Sequence, residues 1–286
     1  MPFCPLAGQP TDDGELALTL ARTLALTGQY NVEAVAEAYG AWFLSSPFDI
    51  GHTTAKAFGR VAGAKRPDLV AVQAASRKSQ ANGALMRIAP LALWGWGLSE
   101  EDLACFARMD SKLSHAHQIC LDTNAVFVLA LKYALTGNTH IYQSTKQWAE
   151  GAGIHPVVLH WLSEAAHHPP EDYYAYMGWV HIAFQNAFYQ LEHASSVFGG
   201  VTDTVMHGGD TDTNGAICGA LLGSKYGLSG IPQQWTSSIL ACVPKAGRFS
   251  VHQPRPSVYW PNDVLTLAEN LVLSAVPPMD SFCEIP

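Results

Sequence analysis

Residues 208–215, with the sequence Gly-Gly-Asp-Thr-Asp-Thr-Asn-Gly, constrain the fold of this chain more than any other segment. The double glycine lets the backbone bend tightly just before a helix. Small residues then recur every four positions at Gly215, Gly219 and Gly223, a spacing that allows one helix face to approach its neighbours closely. In an apolar segment of about 20 residues this spacing would indicate a membrane dimer. The polar residues around it favour a tightly packed central helix of a soluble bundle instead.

The same segment carries three oxygen donors, Asp210, Asp212 and Thr213. Hard divalent cations such as Mg²⁺ and Mn²⁺ prefer oxygen ligands. Carboxylates this close together repel each other, and a bound cation relieves that repulsion. The triplet is equally compatible with a solvated turn or a helix cap, so both interpretations stay open on these residues alone.

A second cluster, Thr11, Asp12 and Asp13, opens an apolar helical pattern that ends at Gly28. Taken alone, Thr11 is explained as an N-cap and the two aspartates as partners of the helix dipole. The two clusters are nevertheless alike, because each is a Thr/Asp group where a loop meets a helix. If the fold brings them together, four carboxylates and two hydroxyls converge, which is enough for two metal ions.

Composition restricts the class of protein. The chain has 286 residues, of which 48% are hydrophobic and only 14% are charged, so much of it must be interior. The net charge of −8 argues against a nucleic-acid surface, which needs clustered Lys and Arg. A small anionic ligand is still compatible with this charge, because a metal ion or a helix N-terminus can invert the local field.

Targeting features predict a cytoplasmic protein. The N-terminus has neither the basic nor the apolar region of a signal peptide. We expect no membrane span, because no apolar run approaches the roughly 18 residues that one needs. The cysteines form no C-x-x-C pair, which predicts reduced, mostly buried thiols rather than a zinc site. They are Cys4, Cys105, Cys120, Cys218, Cys242 and Cys283.

Nearly every readable segment has the period of an α-helix, which predicts an all-α fold. No linker is visible, so residues 1–286 are expected to form a single domain. Asn31 and Ser99 are predicted N-caps. Helices are expected over about residues 119–133 and 173–191 and from Asn262-Asp263 onward, and a long surface loop over residues 245–261.

Five motifs occur in order along the chain: Thr11-Asp12-Asp13, residues 46–54 (SPFDIGHTT), residues 81–90 (ANGALMRIAP), Ser114-His115, and residues 208–214 (GGDTDTN). Together they resemble the ADP-ribosylglycohydrolase family of all-α dinuclear-metal hydrolases, which includes the dinitrogen-reductase-activating glycohydrolase. The agreement in order and spacing extends over about residues 8–235. The last motif is highly specific.

The resemblance implies a compact orthogonal multi-helix bundle with a central dinuclear site for Mg²⁺ or Mn²⁺. It implies Asp49 as the acid/base residue facing the scissile bond. The implied metal ligands are Thr11, Asp12, Asp13, Asp210, Asp212 and Thr213. The implied substrate contacts are Ser79, Asn82, Gly83, Met86 and His115.

Without the resemblance, these residues have ordinary structural explanations. Asp49 follows a proline and fits a turn or a cap. Asn82-Gly83 is a turn signal, and a lone histidine such as His115 is most often a satisfied core residue. The tyrosines at residues 173–176 offer a ring on which adenine could stack, but aromatic residues at this spacing are more often core.

The chain departs from the family pattern at its start. Only ten residues, none of them acidic, precede Thr11, where family members usually carry a further helix and a glutamate that helps to bind metal or substrate. Gly14 stands where Thr or Ser is usual. These departures leave one expected metal ligand without a counterpart.

The implied function is a metal-dependent hydrolase that removes ADP-ribose from a modified protein side chain, with an N-linkage to arginine favoured by the Asp-Ile-Gly loop at residues 49–51. The partners are then an ADP-ribosylated protein and ADP-ribose, with no nucleic acid and no membrane. One alternative is a catalytically impaired ADP-ribose-binding or crystallin-like structural protein. Another is a metal phosphohydrolase that acts on a nucleotide.

Overall fold

The computed structural model describes residues 4–274, and this part of the chain is helical without β-strands, which confirms the all-α prediction. Two isolated β-bridges pair Ser76 with His115 and Ala81 with Trp179. Short 3-10 helices occupy Asn82–Arg87, Leu228–Gly230 and Ser257–Tyr259. The α-helices are α1 (Asp12–Thr27), α2 (Val32–Leu44), α3 (His52–Phe58), α4 (Pro67–Ala74), α5 (Ala89–Trp94), α6 (Glu100–Lys112), α7 (Gln118–Leu135), α8 (Ile141–Gly151), α9 (Pro156–Ala165), α10 (Val180–His193), α11 (Val197–Met206), α12 (Thr211–Tyr226), α13 (Gln233–Leu240) and α14 (Val264–Leu273).

Helix ends follow the local signals in the sequence. Leu16, Leu20 and Leu24, which recur every four residues along α1, are fully buried, and Gly28 ends this helix with a φ of 68°. The Asn31 side chain accepts a hydrogen bond from Ala34 N at 3.0 Å at the start of α2. The Ser99 hydroxyl does the same for Asp102 N at 3.0 Å at the start of α6. Both predicted N-caps are therefore confirmed.

Helix α7 runs through the centre of the bundle and packs against α5, α6, α8 and α12. By length and composition it is apolar enough to cross a membrane, so the expectation that no apolar run reaches this length was wrong. Inside the protein, 72% of the helix is buried. A helix that is apolar on all sides is expected wherever neighbours surround it, and this packing explains the composition of α7.

The helix predicted over residues 173–191 is shorter than expected, because α10 begins only at Val180. Ahead of it, the Asp172 carboxylate accepts hydrogen bonds from two backbone N–H groups at 2.7 and 3.0 Å and holds a turn. Tyr176 has a φ of 59°, which a continuous helix excludes. Trp179 forms a β-bridge to a distant segment. Turn chemistry and tertiary pairing thus override the periodic pattern.

Helix α12 packs against α7, α10 and α11, in agreement with its predicted central position. A Cβ atom added at Gly215 or Gly219 would lie 3.5 or 3.6 Å from valine side chains, an ordinary van der Waals contact. The close helix approach that was expected at Gly215 and Gly219 occurs instead at a glycine of the neighbouring helix α11. At Gly200 of α11, an added Cβ would overlap the Leu222 side chain of α12.

The cysteines differ in part from the prediction of reduced, buried thiols. Cys4 is free but exposed. Cys105 is disulfide-bonded, so the prediction of a reduced thiol is wrong there. The sixth cysteine, Cys283, lies outside the described residues. The free and buried thiols are Cys120, Cys218 and Cys242.

Candidate active site

A cavity of about 340 Å³ lies where four segments meet: the start of α1, the loop between α2 and α3, the first 3-10 helix, and the start of α12. His115, from the turn after α6, and Gly178, ahead of α10, complete its wall. The cavity is lined by Asp12, Asp49, Ile50, Gly51, His52, Thr53, Thr54, Ala81, Asn82, Gly83, Met86, His115, Gly178, Asp210, Asp212 and Thr213.

The two acidic clusters meet at this cavity. Burial, followed by the charge of Asp49, raises the pKa of Asp12 to about 7. Burial and the charges of Asp12 and Asp212 raise the pKa of Asp13. Burial also raises the pKa of Asp210. Because repulsion of this kind weakens with distance, these shifts reflect carboxylates held close together in a poorly solvated place.

Asp13 is the most deeply buried of these carboxylates, with 3% of its surface exposed. Its Oδ2 accepts a hydrogen bond from Thr11 Oγ1 at 2.9 Å, and its Oδ1 is buried with no hydrogen-bond partner among residues 4–274. Thr11 occupies the N-cap position of α1, but its side chain bonds to Asp13 and does not cap the helix. A buried oxygen without a partner is costly. A cation would supply the missing partner, so this observation fits a metal site.

The donor set consists of carboxylate and hydroxyl oxygens, which suits Mg²⁺ or Mn²⁺. Among residues 4–274, no group of three or more His, Cys, Asp or Glu side chains is already arranged to hold an ion. The orphaned Asp13 oxygen and the oxygen-only donor set fit a divalent cation by chemistry.

The double glycine before α12 allows a close approach that no other residue permits. Gly208 and Gly209 have φ values of 78° and 70°, in the left-handed region that favours glycine. A Cβ at Gly208 would overlap the Tyr174 side chain, and one at Gly209 would overlap the Tyr173 backbone carbonyl. This turn places Asp210 at the entrance to the helix, facing the cavity.

Asn82 connects the motif at residues 81–90 to the acidic cluster. Its backbone N–H donates to Gly178 O at 3.0 Å, within the β-bridge between Ala81 and Trp179. Its side-chain Nδ2 donates to Asp210 Oδ2 at 2.8 Å. Asn82 thus supports a carboxylate and lines the cavity at the same time.

Asp49 lies half-buried on the loop between α2 and α3 and faces the same cavity. Burial first, and then the charge of Asp212, raise its pKa above the usual carboxyl value. Two residues further on, Gly51 N donates to Asp12 Oδ2 at 3.3 Å and ties the loop to α1. A carboxyl group whose pKa is raised holds a proton closer to neutral pH, as a general acid requires.

Two of the other predicted substrate contacts line the cavity, and one lies beside it. Gly83 and Met86 line the cavity, on the 3-10 helix. A Cβ atom added at Gly83 would come within 3.0 Å of His115 Cε1, so the glycine leaves room for the imidazole. Ser79 is not among the lining residues. Its Oγ lies 3.0 Å from Thr53 Oγ1, and Thr53 does line the cavity.

His115 is buried, and its Nε2 has no hydrogen-bond partner in the described part of the chain. Its Nδ1 lies 2.8 Å from Ser114 Oγ, which accepts a hydrogen bond from Arg87 Nη1 at 2.8 Å. Arginine can only donate, and Nδ1 is the one acceptor among the described residues for the serine hydroxyl hydrogen, so we assign that hydrogen to the bond with Nδ1. Arg87 itself is fully buried in an ion pair with Asp110 at 2.9 Å.

This hydrogen-bond order assigns the proton of the neutral imidazole to Nε2. Burial, followed by the positive charge of Arg87, lowers the pKa of His115 to about 3, so the ring is neutral at physiological pH. The Nε2–H group is then a buried donor at the cavity wall, with no acceptor among residues 4–274. Such a donor is suited to an oxygen atom of a ligand.

Several lining residues were not predicted from the sequence. Gly51, Thr53 and Thr54 belong to the motif at residues 46–54, where attention to hydroxyl and backbone donors, besides the carboxylate, could have found them. Gly178 carried no such signal. It lies in the segment that was expected to be helical and reaches the cavity only through the β-bridge next to it.

Comparison with known proteins adds independent evidence. The family model described as ADP-ribosylglycohydrolase matches residues 1–272. A solved structure titled ADP-ribosylglycohydrolase-related protein complex superposes with a TM-score of 0.73 at 25% identity, covering 94% of this chain and 83% of that one. The likeness therefore includes nearly the whole bundle.

Curated relatives agree with this match. The chain is 29% identical over 263 residues to an ADP-ribosyl glycohydrolase of Acanthamoeba polyphaga mimivirus, covering 84% of this chain and 78% of the relative. It is 28% identical over 242 residues to the ADP-ribosyl-dinitrogen reductase glycohydrolase of Rhodospirillum rubrum, with coverages of 81% and 74%. It is 24% identical over 247 residues to an ADP-ribosylarginine hydrolase of Pseudomonas putida, with coverages of 83% and 64%. The chain belongs to the ADP-ribosylglycohydrolase family.

Proposed function

We propose that this protein hydrolyses the N-glycosidic bond between ADP-ribose and an arginine side chain of a target protein, with two bound divalent cations, Mg²⁺ or Mn²⁺. Family membership supports the coarser activity, hydrolysis of an ADP-ribosylated substrate. Two relatives are named for dinitrogen reductase and for ADP-ribosylarginine, and these names favour the arginine linkage. The observation that carries the proposal is that Asp12, Asp49, Asp210 and Asp212, from three distant segments, line one cavity.

The residues that would hold the cations come from the two helix starts. When bound, the cations would act as Lewis acids that fix ribose hydroxyls and offset negative charge on oxygen. Asp210 receives the Asn82 hydrogen bond, which keeps one of its oxygens oriented. The proposed ligands are Thr11, Asp12, Asp13, Asp210, Asp212 and Thr213.

Asp49 performs the proton transfers in the proposed reaction. Its protonated carboxyl donates a proton to the guanidino nitrogen as the bond from that nitrogen to ribose C1″ breaks. The carboxylate then accepts a proton from the water whose oxygen bonds to C1″. The products are ADP-ribose and unmodified arginine, and Asp49 ends in its starting state. Its raised pKa favours the protonated form that the first step needs.

A neighbouring groove of about 700 Å³ gives the rest of the ligand a place to lie. It shares Ala81 and Gly178 with the cavity. Tyr174 and Tyr176 line this groove and are 69% and 83% exposed, so each could present a ring to adenine. Tyr173 is buried against its neighbours and is not available for stacking. We therefore propose Tyr174 or Tyr176 as the stacking residue.

The test is hydrolysis of ADP-ribosyl-arginine with added Mn²⁺ or Mg²⁺ and, in parallel, with a chelator. We expect free ADP-ribose and arginine only when the metal is present. A substrate with ADP-ribose linked through a serine oxygen serves as the comparison. Cleavage of the serine linkage alone would contradict the arginine assignment, and undiminished cleavage in the chelator would contradict the metal requirement.

A second candidate is an ADP-ribose-binding protein without turnover. Gly14 motivates it, because this residue directly follows the proposed metal ligand Asp13 and departs from the family pattern. A Cβ at this position would lie 2.6 Å from Pro10 Cβ, so the Thr or Ser usual in the family requires Pro10 to move. Calorimetry with ADP-ribose separates the candidates. Binding without hydrolysis indicates the binding protein, neither binding nor hydrolysis indicates a structural role, and orthophosphate release from nucleotides indicates a phosphohydrolase.

A further inference from the structure

Arg255 ties the loop that carries Asp49 to helix α1. It comes from the loop between α13 and α14, and only 6% of its surface is exposed. Its Nε and Nη2 donate to the two carboxylate oxygens of Glu15, both at 2.8 Å. Its Nη1 donates to Ser45 O at 2.8 Å and to Ser46 O at 3.1 Å, and Nη2 also donates to Ser45 Oγ at 2.7 Å. All five N–H groups of the guanidinium therefore have an acceptor.

Glu15 lies on helix α1, which begins with Asp12 and Asp13. Glu15 lies one helical turn after Asp12 and is 1% exposed. Its Oε2 also accepts a hydrogen bond from Trp42 Nε1 at 2.8 Å. Arg255 is thus anchored to a rigid element whose start supplies the proposed metal ligands.

The other end of the contact holds a turn that the backbone does not favour. Ser46 has a φ of 55°, in the left-handed region that residues with a Cβ atom rarely adopt. Arg255 binds the carbonyl groups of Ser45 and Ser46 and so stabilises this conformation. Pro47 follows with a restricted φ, and Asp49 lies two residues further on. The direction in which the chain leaves Ser46 therefore sets where the Asp49 carboxyl lies.

Arg255 is itself held by two neighbours in the C-terminal segment, Tyr259 and Trp260. Its guanidinium lies 5.1 Å from the centre of the Tyr259 ring. Its backbone carbonyl accepts a hydrogen bond from Trp260 Nε1 at 2.8 Å. The ring contact restrains the guanidinium and the Trp260 hydrogen bond restrains the backbone of Arg255.

We propose that Arg255 is a positioning residue for Asp49. Its planar guanidinium locks the turn at residues 45–49 against α1 and so sets the placement of the Asp49 carboxyl relative to Asp12. The inference rests on the proposed function, since only a proton-transferring Asp49 needs a fixed position. The hydrogen-bond partners of its guanidinium are Glu15, Ser45 and Ser46, none of which lines the cavity, so Arg255 acts on the site indirectly.

The test compares Arg255→Lys with Arg22→Lys. Lysine keeps the positive charge for Glu15, but one compact ammonium cannot reproduce the five-donor fork. Arg22 offers a matched control, because it also links α1 to the C-terminal segment, through Asp263 at 2.7 and 2.8 Å, yet it has no recorded bond to the Asp49 loop. The measurements are kcat, KM, calorimetric ADP-ribose affinity, and hydrogen exchange of the backbone amides at residues 46–51.

We expect Arg255→Lys to lower kcat by about 10²-fold, the cost of a misplaced catalytic group. ADP-ribose affinity should stay unchanged, and exchange at residues 46–51 should become faster. Arg22→Lys should change none of these. Wild-type kcat in Arg255→Lys, or a loss of ADP-ribose affinity equal to the loss of kcat, would overturn the positioning role.

Ser45→Ala provides a milder variant if Arg255→Lys does not fold. It removes one acceptor of Arg255 and leaves the ion pair with Glu15 in place. We expect faster exchange at residues 46–51 and a smaller decrease in kcat, and unchanged values of both would overturn the proposal. Hydrogen exchange needs no substrate. If the wild-type protein hydrolyses no ADP-ribosyl substrate, the proposed function fails, and unchanged exchange in the variant shows separately that Arg255 does not hold the loop.

Discussion

Asn82 Nδ2 donates a hydrogen bond to Asp210 Oδ2 at 2.8 Å, across 128 positions of the sequence. This bond opposes the effect of burial, because it lowers the pKa of the Asp210 carboxyl while desolvation raises it. It also orients one oxygen of a proposed metal ligand. Asn82, predicted as a substrate contact, therefore supports the acidic cluster as well.

Asn82→Ala should weaken Mn²⁺ binding by about 10- to 100-fold, as loss of a hydrogen bond to a metal ligand typically does. Without the amide, the Asp210 carboxyl resists ionisation more strongly and loses its orientation. Calorimetric titration with Mn²⁺ measures the change. Asn138→Ala is the matched control, because Asn138 Nδ2 also donates a 2.8 Å hydrogen bond, to Ser144 Oγ, away from the cavity. Equal affinities in the two variants would contradict the supporting role.

Asp12→Ala and Asp212→Ala should lose metal binding and hydrolysis together. Each removes an anionic oxygen donor from the same cavity, although the two residues are about 200 positions apart in sequence. Mn²⁺ titration and ADP-ribose release from ADP-ribosyl-arginine report the two properties. Wild-type affinity and turnover in either variant would show that the two clusters do not form one metal site.

Asp49→Asn should separate chemistry from binding. Asparagine preserves the shape of the side chain but cannot exchange a proton at useful pH. General acid–base catalysis typically contributes about 10²- to 10⁴-fold, so turnover should fall within that range while Mn²⁺ and ADP-ribose affinities change little. Loss of metal together with activity would instead identify Asp49 as a ligand, and unchanged turnover would identify it as a structural loop residue.

The hydrogen-bond order around Ser114 predicts that His115 is neutral and protonated on Nε2 at pH 7. Nitrogen-15 NMR of histidine-labelled protein, with His115→Gln used to assign the signal, reads this tautomer directly. His115→Phe should weaken ADP-ribose binding, because it removes the Nε2–H donor, by about 10-fold for one hydrogen bond. A charged ring, or a proton on Nδ1, would contradict the assignment.

Stability of the metal-free protein should fall as the pH rises. An unfolded aspartate has a pKa of about 3.9, whereas burial and the charge of Asp49 raise the pKa of Asp12 to about 7. The folded state therefore favours the protonated carboxyl. The stabilising contribution of Asp12 is complete below the unfolded pKa and is lost as the pH rises through about 7. The raised pKa values of Asp13 and Asp210 act in the same direction.

Thermal unfolding in a chelator, followed from about pH 5 to about pH 8, measures this effect. Asp12→Asn is the control, because it removes the titrating group and should flatten the decrease. His115 contributes with the opposite sign, because its pKa is lowered to about 3 and its stabilising contribution is lost as the pH falls below the ordinary histidine value. Since His115 is present in both proteins, the comparison with Asp12→Asn cancels its contribution. Added Mn²⁺ should stabilise the wild-type protein more at the higher pH. Equal pH profiles for wild type and Asp12→Asn would contradict the prediction.

Local signals account for what could be predicted of the fold. Asn31 and Ser99 cap their helices because a short polar side chain can reach an unpaired N–H group within its own turn. The start of α10 was missed for the opposite reason. The segment before it is held by the Asp172 turn and by the β-bridge of Trp179 to Ala81, a partner that the periodic pattern does not reveal.

In the candidate site, too, the residues within local motifs could be predicted, and those that depend on tertiary contacts could not. Motif matching named residues of the cavity such as Asp49 and Asn82, because chemistry restricts which side chains can stand in those motifs. It also named Ser79 as a substrate contact, which stays a prediction; this serine lies beside the cavity, with its Oγ 3.0 Å from Thr53 Oγ1. Gly178 was absent from the prediction, because only a tertiary pairing brings it there.

By itself, the sequence determined that the chain is helical and that each acidic cluster stands at a helix start, because caps, glycine conformations and periodicity act over a few residues. Only the tertiary structure decided that Asp12 meets Asp212 and that Arg255 reaches Glu15 across 240 positions. Those contacts form because the core brings distant helices together. The same packing withdraws the Asp12 carboxyl from water, and burial of this kind raises its pKa.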